Sequence, residues 1–179
     1  KRAVIIGGGY IGLETASALR KIGMQVTVLE AMPRILQRVT APEVAAFYAR
    51  IHKEEGVEII ADVQAVNISG DKQVESVQCH NGTEYQADLV IIGVGVIPNT
   101  ELAEQAGLKV DNGIVVDEYA RTSDDDILAA GDCTFHYNPI YQRHLRLESV
   151  QNALDQASVA ANTICGNLKP YSALPWFWS

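Results

Sequence analysis

The chain has 179 residues, 47% hydrophobic and 20% charged, with 14 basic against 22 acidic side chains and a formal net charge of −8. This is an ordinary globular composition with room for one good-sized domain or a domain plus part of another, and its negative field excludes non-specific binding to nucleic acid or to an anionic membrane surface. No stretch approaches the roughly 20 apolar residues of a membrane span, and Cys79, Cys133 and Cys165 form neither a C-x-x-C pair nor a zinc spacing, so reduced thiols of a cytoplasmic protein are expected.

Residues Ala3 to Ile6 form a continuous apolar run, the pattern of a buried parallel strand. Gly7-Gly8-Gly9 breaks it. From Tyr10 to Ile22 apolar residues recur at helical spacing, and Gly23 supplies the stop. Gln25 to Leu29 is a second strand, completing a strand–helix–strand unit. Thr40-Ala41-Pro42-Glu43 fits a capping box with Thr40 as N-cap, opening a helix that runs to Glu55 before Gly56. Val57 to Ile60 is the next strand. The period then shortens. Asp62 to Ser69, Gln73 to His80 and Thr83 to Tyr85 read as an antiparallel meander, with a hairpin signal at Asn81-Gly82. Leu89 to Ile92 is again fully apolar and runs into Gly93-Val94-Gly95-Val96-Ile97-Pro98-Asn99. A short helix is predicted over Thr100 to Ala106, closed by Gly107. Beyond Gly113 come short strands at Ile114–Val116 and Ile127–Ala129, the latter ending at Gly131-Asp132, then a loop over Pro139–Arg146. An amphipathic helix runs from Leu147 to Cys165, with Gly166 after it. A domain boundary is placed near Val116.

Five features carry chemistry. Gly7-x-Gly9-x-x-Gly12 sits between a buried strand and a helix, the context the dinucleotide fingerprint requires. Gly7 allows the tight turn, Gly9 lets a pyrophosphate approach the backbone, and Gly12 lets the helix pack closely on the strand. The helix N-terminus then offers N–H groups and positive dipole to phosphate. Glu30 ends the second strand, where a carboxylate accepts hydrogen bonds from adenosine ribose hydroxyls and repels a 2′-phosphate, so NAD(H) is expected rather than NADP(H). Arg34 and Arg38 follow closely, either as solvated surface arginines or as cations that soften that preference. Glu14 reads from its spacing as a helix glutamate near a positive N-terminus. Gly93-Val94-Gly95 suggests a close approach of backbone to a ligand, or else a tight exit loop. Asp132 follows Gly131 at a strand mouth and suits a hydroxyl-rich ligand chain, or serves as an N-cap. The four histidines show no metal spacing, and no Ser-His-Asp arrangement or carboxylate pair stands out. Arg143, His144 and Arg146 form a small basic cluster, read either as a solvated loop or as a contact for an acidic partner.

Gly7-Gly8-Gly9-Tyr10-Ile11-Gly12-Leu13-Glu14, then Gly93 to Asn99, then Ala130-Gly131-Asp132 resembles the ordered motif set of two-dinucleotide-binding-domain flavoproteins, over essentially the whole chain. Within that superfamily, Arg146-Leu147-Glu148-Ser149-Val150-Gln151-Asn152-Ala153 and Pro175-Trp176-Phe177-Trp178-Ser179 are similar to the NADH:ferredoxin reductases of oxygenase systems, of putidaredoxin and rubredoxin reductase type. The resemblance implies an α/β fold: a Rossmann-like parallel sheet with the meander inserted, plus the returning half of an FAD domain. It implies an enzyme that takes hydride from NADH onto FAD and passes single electrons to a ferredoxin or rubredoxin, without nucleic-acid or membrane partners. It also gives Glu14 a nicotinamide contact, Asp132 the FAD ribityl hydroxyls, and Glu148, Ser149 and Val150 a place near the isoalloxazine.

The family pattern has an FAD-binding strand–helix–strand before this region and a third domain after it. The chain is therefore expected to be a fragment: residues 1–116 for NAD(H), 117–168 an incomplete FAD domain, and 169–179 the start of a further domain. It should bind NADH, should lack FAD, and should not turn over alone. The alternatives are a disulfide reductase, an NADH oxidase, a nitrite reductase or apoptosis-inducing-factor-like flavoprotein, and, outside enzymes, an NAD-sensing module.

Overall fold

The strands at the start of the chain are apolar on both faces because both faces are covered. A computed structural model describes residues 1–178, and Ser179, the end of the expected 169–179 segment, lies outside the described residues. The chain divides into two compact units, residues 1–96 and 97–178, so that the division in packing falls before residue 116.

In the first unit, β1 (Arg2–Ile6), β2 (Gln25–Leu29), β3 (Val57–Ile60) and β7 (Leu89–Ile92) form a parallel sheet in the order β3-β2-β1-β7. On one face Ala3, Ile5, Val26, Val28 and Val57 pack with Ala16 of α1 (Tyr10–Lys21). On the other, Val4 and Leu29 pack with Val77, Cys79 and Ala87. These last belong to or adjoin the predicted meander, a three-stranded antiparallel sheet of β4 (Ala65–Ser69), β5 (Ser76–Cys79) and β6 (Glu84–Gln86). The meander thus takes the place of a helical layer on that face. Between β2 and β3 lies α2 (Pro42–Glu54). Its N-cap is Ala41, not Thr40, and no side chain caps it. Pro42 at the first helical position holds its predecessor in extended backbone, and the Thr40 hydroxyl donates to the Leu36 carbonyl instead.

Registers place Ile6, Leu29 and Ile92 side by side at the carboxyl edge of the sheet. The residues that follow them, Gly7, Glu30 and Gly93, therefore emerge together. Chain order also reverses at β1, which has β2 on one side and β7 on the other. Such a switch point is where open α/β sheets leave a crevice for a ligand.

The second unit contains α3 (Glu101–Gln105), then β8 (Val110–Asp111), β9 (Gly113–Val116), β10 (Thr134–Asn138) and β11 (Arg143–Leu145) in a sheet ordered β11-β10-β9-β8, and finally α4 (Val150–Ile164). Four expectations fail here. Ile127–Ala129 is not a strand; only Leu128 makes a bridge, to Arg121. Gly131-Asp132 accordingly forms the turn before β10 rather than the end of a strand. Residues 139–146 are not a plain loop but the turn and second arm of a β10–β11 hairpin, whose turn is held by the Asn138 carboxamide oxygen accepting from the Ile140 and Tyr141 amides. Helix α4 starts at Val150, not Leu147, because the Ser149 hydroxyl accepts from the Asn152 amide and fixes the cap.

Candidate functional site

The glycine loop of the first unit is shaped by backbone crowding. Gly7 has φ +109, and a Cβ there would lie 2.3 Å from the Gly93 carbonyl oxygen. A Cβ on Gly12 would lie 2.1 Å from the Gly7 carbonyl oxygen. Side chains are excluded at both positions. At Gly9 a Cβ would meet nothing within 4 Å, so the absence of a side chain there leaves room rather than relieving a clash. Gly9 is also the N-cap of α1, and no side chain caps that helix. Its positive end faces open space, which suits an anion.

Glu30 is tied into this loop. One carboxylate oxygen accepts from the Gly8 amide at 2.7 Å, the other from the Met32 amide at 2.8 Å. The Gly8 carbonyl in turn accepts from the Leu36 amide at 2.9 Å. A Cβ on Gly8 would come within 2.7 Å of Ile35 Cγ2 and 3.0 Å of the Glu30 carboxylate. Gly8 is thus crowded, as Gly7 and Gly12 are, and the spacing G-x-G-x-x-G passes over it; the unbroken glycine triplet was the only sign.

The two arginines that follow differ. Arg34 is half-buried and donates to the Gln37 and Thr40 carbonyls at 3.1 and 3.0 Å, so it braces its own loop. Arg38 is exposed, and a Cβ on Gly95 would lie 3.7 Å from its guanidinium. Gly93 is tied to β1 through its amide, which donates to the Ile6 carbonyl at 2.8 Å. Val94 is exposed beside it, as is Ile11 on α1. Tyr10 is half-buried, and burial, with Tyr48 second, pushes its phenol pKa up, so the hydroxyl stays neutral. Glu14 lies exposed on α1. The first unit therefore gathers Gly7–Gly12, Glu30, Arg38 and Gly93–Gly95 at the carboxyl edge of one sheet.

In the second unit, Gly131 has φ +89 and its amide donates to Gln156 Oε1 at 2.7 Å. Asp132 follows it, exposed in the turn, and caps no helix. Glu148 is exposed and ion-paired with Arg146, which also donates to Asn112 Oδ1 at 3.3 Å. Arg146 is thus held inside the fold, whereas Arg143 and His144 stand exposed on β11. Val150 begins α4 with an exposed side chain. Among the described residues no group of His, Cys, Asp and Glu is arranged to hold a metal ion, and no helix is long and apolar enough to cross a membrane.

Residues 1–157 match the pyridine nucleotide-disulphide oxidoreductase family. The chain is 51% identical to putidaredoxin reductase of Pseudomonas putida over 99% of its own length and 43% of the relative's. It is 43% identical to rubredoxin-NAD(+) reductase of Ectopseudomonas oleovorans over 98% of its length and 46% of the relative's. Among solved structures, the reductase in a covalent putidaredoxin reductase–putidaredoxin complex matches with a TM-score of 0.96 and 50% identity, over 99% of this chain and 43% of that one. The chain thus spans less than half the length of these relatives. With a family match over residues 1–157, and with the crowded glycine loop and Glu30 at the carboxyl edge of a parallel sheet, the chain belongs to the pyridine nucleotide-disulphide oxidoreductase family.

Proposed function

We propose that this chain is the NADH-binding part of an FAD-dependent reductase that delivers electrons to a ferredoxin or rubredoxin in the cytoplasm. The observation that carries the reading is the Glu30 carboxylate, fixed by the Gly8 and Met32 amides beside a glycine loop that is open only at Gly9. The relatives, putidaredoxin reductase and rubredoxin-NAD(+) reductase, support the electron acceptor.

When bound, the nicotinamide and flavin supply the hydride and single-electron chemistry. The chain's residues bind and orient. Gly9 admits the pyrophosphate to the uncapped end of α1, and the amides there satisfy its charge. Glu30 accepts from the ribose hydroxyls with its remaining lone pairs and repels a 2′-phosphate. Gly93, Val94 and Gly95 line the facing wall, with Arg38 beside them as the available cation. Glu14 orients the nicotinamide carboxamide. Residues 1–116 serve NAD(H). In residues 117–168, Gly131 and Asp132 would hold the ribityl chain, and Glu148, Ser149 and Val150 would contact the flavin ring. No side chain has to move a proton.

Equilibrium binding of NADH and NADPH to the 179-residue chain tests the reading. Selective binding of NADH is the expected result. Equal binding, or preference for NADPH, removes the role given to Glu30, and failure of a folded sample to bind either removes the nucleotide site.

A further inference from the structure

In the second unit, helix α4 meets strand β10 through a network of hydrogen bonds. Thr134, His136 and Asn138 alternate along β10 and are buried, as are Asn152 and Gln156 on α4. Gln156 is the hub. Its Oε1 accepts from the Gly131 amide at 2.7 Å and from Thr134 Oγ1 at 2.8 Å. A backbone N–H can only donate, so this contact fixes the orientation of the amide. Gln156 Nε2 therefore donates to His136 Nδ1, 3.1 Å away. The imidazole is neutral with its proton on Nε2, consistent with burial, and secondarily His144, holding its pKa down. Asn152 joins the hub at 3.4 Å and donates to the Leu147 carbonyl at 3.1 Å, while its own amide caps onto Ser149. Tyr171 closes the network, donating its hydroxyl to Asn152 Oδ1 at 2.9 Å.

A buried polar network of this kind adds little net stability over apolar packing, but the contacts it makes specify one geometry, here with His136 Nε2 and Asn138 Nδ2 buried and without a partner among the described residues. Here the geometry it specifies is the distance between two chain segments far apart in sequence, the Gly131-Asp132 turn and the Leu147–Val150 corner. We infer that Gln156 is a positioning residue for the flavin, its carboxamide tying the turn that carries Asp132 to the corner that carries Glu148 and Ser149. The inference rests on the reading of the chain as part of an FAD-dependent reductase. Gln156 itself touches no cofactor; it acts through the segments it holds.

The test uses the full-length protein, stripped of flavin and titrated with FAD. Gln156→Met keeps the length of the side chain and removes its amide. It is expected to weaken FAD binding by about 10-fold or more, as loss of a buried hydrogen-bond partner does, and to shift the visible absorption bands of the flavin that still binds. Tyr171→Phe removes a hydrogen bond from the same network without cutting the tie to Gly131. It should lower stability and weaken FAD binding less than Gln156→Met does. Wild-type affinity and spectrum in a folded Gln156→Met protein overturn the inference, as do equal effects of the two substitutions on FAD binding. Should Gln156→Met not fold, amide exchange in the wild-type apoprotein decides: protection of the Gly131 amide before flavin binds is expected, and free exchange there overturns the tie. Failure of the wild-type protein to take up FAD at all would instead overturn the flavin reading on which the inference rests.

Discussion

The Glu30 carboxylate accepts a 2.7 Å hydrogen bond from the Gly8 amide, so the acidic residue that follows β2 is tied to the glycine loop that follows β1. A side chain that holds the loop and, on the proposed reading, also faces the nucleotide does two things when removed. Glu30→Ala is expected to weaken NADH binding by roughly 10- to 100-fold, the loss of one or two hydrogen bonds to a charged group. NADPH binding should fall far less, because the like charge that opposes a 2′-phosphate goes at the same time. Isothermal titration of both nucleotides gives the ratio, and an unchanged preference in the variant would remove Glu30 from specificity.

Two glycines of the fingerprint should respond oppositely to alanine. A Cβ on Gly12 would lie 2.1 Å from the Gly7 carbonyl oxygen, whereas at Gly9 it would meet nothing, on a backbone of φ −80 that alanine readily adopts. Gly12→Ala should cost stability, about 1–3 kcal/mol or more for an overpacked site. Gly9→Ala should leave urea unfolding unchanged or raise stability by about 0.4–1 kcal/mol through the unfolded chain. Its effect should be on NADH affinity, lowered about 10-fold by the methyl group standing where the pyrophosphate approaches. Normal nucleotide affinity in Gly9→Ala would mean that the phosphates lie elsewhere.

The arginines beside Glu30 separate in the same way. Arg34 is engaged by the Gln37 and Thr40 carbonyls, while Arg38 is exposed near Gly95. Arg34→Ala should lower stability by about 1–2 kcal/mol and leave the ratio of NADH to NADPH affinity as it was. Arg38→Ala should change stability by no more than about 0.5 kcal/mol and weaken nucleotide binding most at low ionic strength, where an exposed charge is least screened. The reverse assignment of effects would show that Arg34, not Arg38, faces the ligand.

The first unit was legible because its signals are local. Val4 and Ile5 are buried on opposite faces of β1, so the strand reads as an unbroken apolar run, and the meander is punctuated by Asn81-Gly82. The second unit hid its main hairpin by inverting the usual pattern. Thr134, His136 and Asn138 point inward and are buried, while Phe135 and Tyr137 between them are less so. An apolar-in, polar-out template cannot find such a strand. The apolar Ile127-Leu128-Ala129 run fits that template and makes only one bridge. Gln156 was invisible for the same reason: nothing in a helical glutamine shows that its partners lie 20 and 25 residues away on other elements.

His136 gives the second unit a pH dependence of definite sign. Burial, and secondarily His144, holds its pKa below the ordinary 6.5, so the folded state disfavours the imidazolium that the unfolded chain accepts. The stabilisation tied to a neutral His136 is fully present above pH 6.5 and is lost as pH falls from there toward the depressed folded-state value. Protonation would also put a second donor where Gln156 Nε2 already donates, 3.1 Å from Nδ1. Amide-exchange protection along β10, corrected for intrinsic rates, should therefore be lower at pH 5.5 than at pH 7.5. His136→Gln leaves a neutral side chain at the same place and should remove that difference within β10. It should leave untouched the parallel loss in the first unit, where burial likewise holds the His52 pKa down. A β10 response that survives the substitution unchanged would assign the pH dependence to another group.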